Sequence, residues 1–114
     1  MNMATVNIYT TNKPYVIRGG GAIVAETKNA LVLAEDGQAD RIFFPPKDVA
    51  LAFFDASETK GGDPLLGPAE YFHLAGKSKQ VKDVAWCYNS PTGLTEKLSG
   101  YFTFDGNKVA VEEL

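Results

Sequence analysis

Residues 22–34 read AIVAETKNALVLA, two β-rich runs that are separated by Lys28 and Asn29. Short runs of this kind, joined by a tight polar connection, typically pair as antiparallel strands. A further strand-like run at residues 15–18 precedes them and is ended by Gly19-Gly20-Gly21. The sequence therefore predicts hairpin-connected strands near the start of a β domain.

The rest of the chain continues this pattern of short strands. Residues 1–14 are predicted to form an N-terminal arm or edge strand, and residues 15–114 a single β domain. Further strand-like runs lie at residues 41–44, 69–75, 82–88, 101–104 and 108–111, and short helical turns at 46–50 and 93–98. Eight or nine short strands with one or two helical turns are typical of an antiparallel sandwich or partly open barrel.

Two connecting segments stand out. The Asp105-Gly106-Asn107 sequence is a strong turn signal and predicts a closing hairpin between the last two strands. Residues 55–68 contain three Gly and two Pro among alternating charges. We therefore expect residues 55–68 to form a long surface loop, and loops of that length are often functional.

Composition excludes several classes of function. The 114 residues carry a net charge of −3 with no concentration of Lys or Arg, so the basic surface of a nucleic-acid-binding protein is missing. One cysteine and one histidine cannot supply the four ligands of a structural zinc site, and we expect neither a metal nor a cofactor.

Location is inferred from the same composition. Cys87 has no internal disulfide partner, which fits a reducing compartment. The N-terminal residues show no signal-peptide pattern, and no apolar stretch approaches the roughly 20 residues of a membrane-spanning helix. The expected location is the cytoplasm, without membrane association.

Five segments in order carry a resemblance to a known family. They are GAIVAET at 21–27, FFPPKDV at 43–49, GPAEYF at 67–72, AWCYNSP at 85–91, and GYFTF at 100–104 followed by Val109 and Val111. This succession resembles the family catalogued as domain of unknown function 427 and covers nearly the whole chain. The resemblance implies a compact, mainly β domain of the Mss4-like, or β-tent, type.

The family also bears the label "nucleotidyltransferase-like", which this chain does not support. Nucleotidyl transfer needs neighbouring carboxylates, usually Asp-x-Asp, to hold Mg²⁺ against the phosphates, and the chain has no Asp-x-Asp. Many members of the family carry Cys-Pro-x-Lys-Gly before the A-x-Y strand. Here residues 63–67 read DPLLG, so chemistry that needs that thiol or amine is absent.

The main candidate site is an aromatic cleft formed by Trp86, Tyr88, Tyr71 and His73. Trp86 and Tyr88 share one face of a strand, as do Tyr71 and His73, because side chains alternate along a strand. These side chains either pack the core or line a small-ligand cleft that the loop at residues 55–68 closes. For His73 the structural interpretation is a half-exposed polar side chain on its strand.

Three other groups have both a functional and a structural interpretation. Arg18-Gly19-Gly20-Gly21 resembles a phosphate loop, but the following run is β-rich, which favours a simple turn. Cys87 could act as a nucleophile with His73, although a free cysteine is more often a small buried side chain. Lys47 and Asp48 lie on the predicted turn after Pro45-Pro46, where Asp48 is expected to cap local N–H groups.

Three functions remain open from the sequence. The leading hypothesis is a non-catalytic module that binds a small molecule or peptide in the aromatic cleft. The first alternative is a small enzyme that uses His73 with Glu70 or Asp48 in acid–base chemistry. The second alternative is a structural subunit that forms a homo-oligomer through exposed strand edges.

Overall fold

The computed structural model describes residues 5–76 and 79–114 of the chain. These residues contain ten strands and three short 3₁₀ helices. The strands are β1 Val6–Thr10, β2 Tyr15–Gly19, β3 Ala22–Thr27, β4 Leu31–Glu35, β5 Arg41–Phe43, β6 Phe54–Asp63, β7 Gly67–Ala75, β8 Gln80–Tyr88, β9 Phe102–Phe104 and β10 Ala110–Glu113. The 3₁₀ helices are Pro46–Asp48, Leu51–Phe53 and Gly93–Leu98. The predicted mainly β, antiparallel fold class is confirmed.

The strands form three antiparallel sheets. Their orders are β1-β4-β5, β10-β2-β3 and β6-β7-β8-β9. Strand β1 lies at the end of its sheet and pairs with β4 from Val6 opposite Glu35 to Thr10 opposite Leu31. The sheets are linked by isolated bridges, one of which joins Phe44, just after β5, to Phe102 of β9.

The hairpin prediction for residues 15–34 is half right. Strands β2 and β3 pair directly through a turn in which Gly20 and Gly21 adopt φ values of 57° and 82°. Strand β4 instead belongs to another sheet, so the predicted pairing across Lys28 and Asn29 is wrong. The connection carries the chain between sheets, and the Thr27 hydroxyl oxygen accepts the Asn29 N–H at 2.9 Å.

The predicted closing hairpin is also wrong. Strand β9 pairs with β8, whereas β10 pairs with β2 in a different sheet. The Asp105 turn does form, since its Oδ1 accepts the Asn107 N–H at 2.8 Å. The chain then leaves the sheet, and burial differs on the two sides of the turn: Phe102 and Phe104 are buried in the core, whereas all of β10 is exposed.

The predicted loop at residues 55–68 is replaced by a β-hairpin. Strand β6 runs from Phe54 to Asp63 and pairs antiparallel with β7. The turn is closed by Asp63, whose Oδ1 accepts the N–H groups of Leu65 and Leu66 at 2.8 and 2.9 Å. The composition suggested a loop because β6 is a largely exposed edge strand, where polar residues and glycine are tolerated.

Apolar side chains on both faces of the four-stranded sheet are covered. Alternation along β8 places Ala85 and Cys87 in one buried cluster, with Ile17 and Val24 of the β10-β2-β3 sheet. Trp86 and Tyr88 belong to a second cluster, whose partners from the β1-β4-β5 sheet include Leu31, Leu33 and Phe43. The side chains of β8 therefore contribute to both clusters.

Gly62 is required by the close approach of β6 to β7. A Cβ atom at this position would overlap the carbonyl oxygen of Gly67 and lie 2.9 Å from the Cα of Pro68. We expect Gly62→Ala to lower the free energy of unfolding by about 2–3 kcal/mol, because backbone atoms cannot move aside as a flexible side chain can.

The matched control is Gly106→Ala, since nothing lies within 4 Å of a Cβ built there. Urea denaturation should show a change of no more than about 0.5 kcal/mol for this control. Equal stability of the two variants would show that the β6–β7 approach does not need glycine.

Candidate functional site

Three of the four predicted aromatic-cleft residues are brought together by strands β7 and β8. Tyr71 lies directly opposite Trp86 in the strand pairing, and their rings are 5.6 Å apart between centroids with a tilt of 34°. The indole N–H of Trp86 donates to the Tyr88 hydroxyl oxygen at 3.0 Å. Because this bond lies within the protein, the indole has no free N–H to offer a ligand.

Arg41 of β5 completes the arrangement from the neighbouring sheet. Its Nη2 donates to the same Tyr88 oxygen at 2.8 Å, and its Nη1 donates to Asp63 Oδ2 at 3.0 Å. The guanidinium carbon also lies 5.6 Å from the centroid of the Tyr88 ring, within range of a cation–π interaction. A continuous chain of hydrogen bonds therefore runs from Trp86 through Tyr88 and Arg41 to Asp63.

A cleft of about 440 Å³ opens beside Trp86, and we call it the Trp86 cleft. It is lined by Ile17, Ala39, Asp40, Arg41, Ile42, Phe44, Trp86, Thr103, Phe104, Asp105, Gly106 and Val111. Tyr88 is 2% exposed and lies behind this surface, while Tyr71 and His73 are not among the lining residues. Strand β6 and its turn do not close the cleft, because its walls come from strands β2, β5, β8, β9 and β10 and the residues next to them.

His73 lies further along β7, beside Asp83 of β8. Its Nδ1 accepts the backbone N–H of Asp83 at 3.0 Å, so the neutral ring carries its proton on Nε2. Asp83 adopts φ 50° at an irregularity in the β7–β8 pairing. Asp83 Oδ2 accepts a hydrogen bond from the Thr59 hydroxyl at 2.7 Å. The pKa of the Asp83 carboxyl group is lowered mainly by a hydrogen bond from Ser57 and, to a smaller extent, by the one from Thr59.

The acid–base grouping of His73 with Glu70 or Asp48 is not assembled. Glu70 lies opposite Cys87 in the β7–β8 pairing, on the other face of the sheet from His73. Asp48 Oδ2 accepts the hydroxyl of Thr27 at 2.7 Å and is also bound by Lys47. The Thr27 hydrogen bond is the main reason that the pKa of Asp48 is lowered.

The remaining sequence candidates have structural roles. The segment from Arg18 to Gly21 is the end of β2 and its hairpin turn, and Arg18 forms an ion pair with Glu112 of β10. Cys87 is 4% exposed, and burial raises the pKa of its thiol to about 11, with a further contribution from the charge of Glu70. Across the described ranges, His, Cys, Asp and Glu form no group of three or more that could hold a metal ion.

Arg41 and Asp63 are the site residues that sequence reasoning missed. A usable signal was present, since Arg41 starts the otherwise apolar run RIFF and a buried tyrosine hydroxyl needs a hydrogen-bond partner. Asp63 was hidden because residues 55–68 were interpreted as a loop. The pairing of Arg41 with Asp63 spans 22 residues and appears only when β6 is folded.

Arg41 is testable as the link between the sheets. We expect Arg41→Lys to lower the free energy of unfolding by about 1–2 kcal/mol, because an ammonium group cannot make the forked contact with both Asp63 and Tyr88. Urea denaturation followed by the fluorescence of Trp86, the single tryptophan, measures the change.

Arg18→Lys is the matched control for this substitution. The side chains of Arg18 and its partner Glu112 are 53% and 45% exposed, so this variant should lose less than about 0.5 kcal/mol. A loss at Arg41 no larger than that at Arg18 would mean that the forked contact contributes nothing.

Cys87 gives a second prediction. Because the thiol is buried and its pKa is raised to about 11, very little thiolate forms near pH 8. Native protein should therefore react with Ellman's reagent only slowly, while protein in denaturant should react at once and completely. Rapid, stoichiometric labelling of the native protein would contradict the buried position of Cys87.

Comparison with known proteins gives a family but no activity. No helix in the described part of the chain combines the length and apolar character needed to cross a bilayer. No curated protein sequence matches the chain. Residues 7–113 match the family described as "Domain of unknown function (DUF427)". Because this match covers almost the whole chain, including every strand from β2 to β10, the protein belongs to that family.

Proposed function

We propose that this domain binds a small molecule in the Trp86 cleft. The observation that carries the proposal is the position of Trp86, whose ring is only half-buried although Tyr88, the next residue on the same face of β8, is buried. A large aromatic ring left partly open beside a cavity offers a contact surface that the fold itself does not use.

The size and lining of the cleft support this proposal. Its volume of about 440 Å³ lies within the range of small-ligand pockets, roughly 300–1,000 Å³. Apolar side chains from several strands form most of its wall, among them Ile42, Phe44 and Phe104. A few polar groups, including Thr103 and Asp105, interrupt that wall and are able to orient a ligand.

The hydrogen bonds behind the cleft support it further. The Trp86 N–H is held by Tyr88, and Tyr88 is held by Arg41, so the indole ring has one fixed orientation. A side chain that is already ordered loses little conformational entropy when a ligand docks on it. In this proposal Trp86 contacts the ligand and Tyr88 positions Trp86 through a hydrogen bond, whereas only the ring of Tyr71, and not its hydroxyl, packs beside Trp86.

The surroundings of Cys87 and His73, the two side chains most able to do chemistry, favour binding over catalysis. The Cys87 thiol is buried with a raised pKa, which makes it a poor nucleophile at neutral pH. The Nδ1 atom of His73 is occupied by the Asp83 N–H, and His73 does not line the cleft. The proposal therefore assigns neither residue a chemical role.

The test is a screen of aromatic fragments read by NMR and by thermal shift. A fragment in the cleft should shift the indole N–H resonance of Trp86 and raise the melting temperature, because binding to the native state stabilises it. Trp86→Phe should remain folded and bind the best fragment at least about tenfold more weakly, since stacking area at a central aromatic contact is lost.

Tyr71→Phe is the matched control, because it keeps the ring beside Trp86 and removes a hydroxyl that does not line the cleft. Its affinity for the same fragment should equal that of the unmodified protein. Equal affinity in the Trp86→Phe variant would show that Trp86 only packs the domain and would overturn the proposal.

A further inference from the structure

We propose that the ligand of the Trp86 cleft carries a cationic amine on an apolar, ring-containing body. This inference rests on the proposed function, and it names the chemical class that the cleft selects. It comes from the charges around the cleft and from the aromatic surface beneath them.

Two carboxylates lie at the cleft without a cationic partner among the described residues. Asp40 precedes β5 and is exposed, while Asp105 follows β9 and is half-buried. Neither forms an ion pair with any residue of the described ranges. Asp105 Oδ1 accepts the Asn107 N–H at 2.8 Å, which leaves its second oxygen able to accept from a ligand.

Arg41 offsets these carboxylates only in part. Its guanidinium is bound to Asp63 at 3.0 Å, and the Arg41 and Asp63 side chains are only 24% and 25% exposed. Arg41 lines the cleft and Asp63 does not, but even with the guanidinium counted in full the lining carries two carboxylates against one cation. Asp40 and Asp105 therefore leave the cleft with an excess of negative charge, which favours a cation and repels a carboxylate.

The aromatic lining strengthens the preference for a cation. An ammonium group is attracted to the face of an aromatic ring, most strongly to tryptophan, and Trp86 and Phe104 both line the cleft. Apolar walls such as Ile42 and Val111 also lower the local dielectric constant, so each charge acts over the cleft more strongly than in open water. The same walls bury the apolar body of the ligand.

Three probes that share one ring separate charge from shape. They are 2-phenylethylamine, 2-phenylethanol and 3-phenylpropionate, which are cationic, neutral and anionic at pH 7. We expect the amine to bind at least about tenfold more tightly than the alcohol, with the carboxylate weakest, and the preference to shrink as salt screens the charges. Fluorescence of Trp86 and its indole N–H resonance report binding, because the chain has one tryptophan.

Substitutions then test the two carboxylates. In Asp105→Asn the side-chain oxygen is kept and still accepts the Asn107 N–H, so the turn after β9 is preserved. Combined with Asp40→Asn, it should remove most of the advantage of the amine over the alcohol, while alcohol affinity changes much less; the remaining preference comes from the aromatic rings. Asp55→Asn is the matched control, because Asp55 is an exposed acid on β6 outside the cleft.

The outcomes separate this inference from the proposed function. Equal binding of all three probes, or tightest binding of the carboxylate, overturns the amine class while small-molecule binding at Trp86 stands. An unchanged amine preference in the double variant also overturns it. If none of the three perturbs Trp86, the amine class is overturned, and the proposed function falls as well when the fragment screen yields no ligand.

Discussion

The phenol oxygen of Tyr88 accepts two hydrogen bonds inside the protein, one from the indole of Trp86 and one from the guanidinium of Arg41. Tyr88 is 2% exposed, so water cannot replace either donor at low cost. Through these bonds the end of β8 is fixed to the start of β5, and the Arg41–Asp63 contact extends the connection to the β6–β7 turn. A single buried oxygen thus ties two sheets and a hairpin together.

This constraint couples stability to the cleft. If the ring of Trp86 were held only by packing, it could rotate into the open space beside it. The bond to Tyr88 prevents this and holds the N–H edge of the ring inside the protein, while the ring as a whole stays half-buried. Asp63 makes two different contacts: its Oδ1 closes the turn after β6, and its Oδ2 binds Arg41. Unfolding of that turn would therefore remove the Asp63 contact of Arg41 and weaken the hydrogen bonds that hold Trp86.

The sequence predicted what depends on local pattern and failed where partners are distant. Strands β2, β3, β7 and β8 were predictable from their β-branched and aromatic residues, and the shared face of Trp86 and Tyr88 followed from alternation along β8, whereas the position of Tyr71 opposite Trp86 depends on the β7–β8 register. The partners of β4, β9 and β10 were not predictable, because a turn signal fixes the local bend and not the sheet that the next strand joins. Asp105 illustrates this, since its turn forms as expected and the chain still leaves for another sheet.

The prediction of a loop in place of strand β6 failed for a different physical reason. An edge strand pairs on one side only, so its outer positions accept the polar and glycine-rich composition of a loop. Gly62 was an apparent loop signal, yet it is the residue that allows β6 to approach β7. Once β6 is a strand, Asp63 reaches Arg41, and the missed half of the site follows from the missed strand.

The cleft lies where the three sheets meet. Strand β8 spans nine residues, from Gln80 to Tyr88, but its neighbour β9 spans only three, from Phe102 to Phe104. Those three residues pair with Ala85, Trp86 and Cys87, and the β5 and β2 segments of the other two sheets reach the same part of β8. Residues of all three sheets, such as Ile17, Ile42 and Thr103, therefore meet around Trp86. A ligand docked beside Trp86 would therefore contact residues of all three sheets, and concave sites lined by several elements are where small molecules commonly bind.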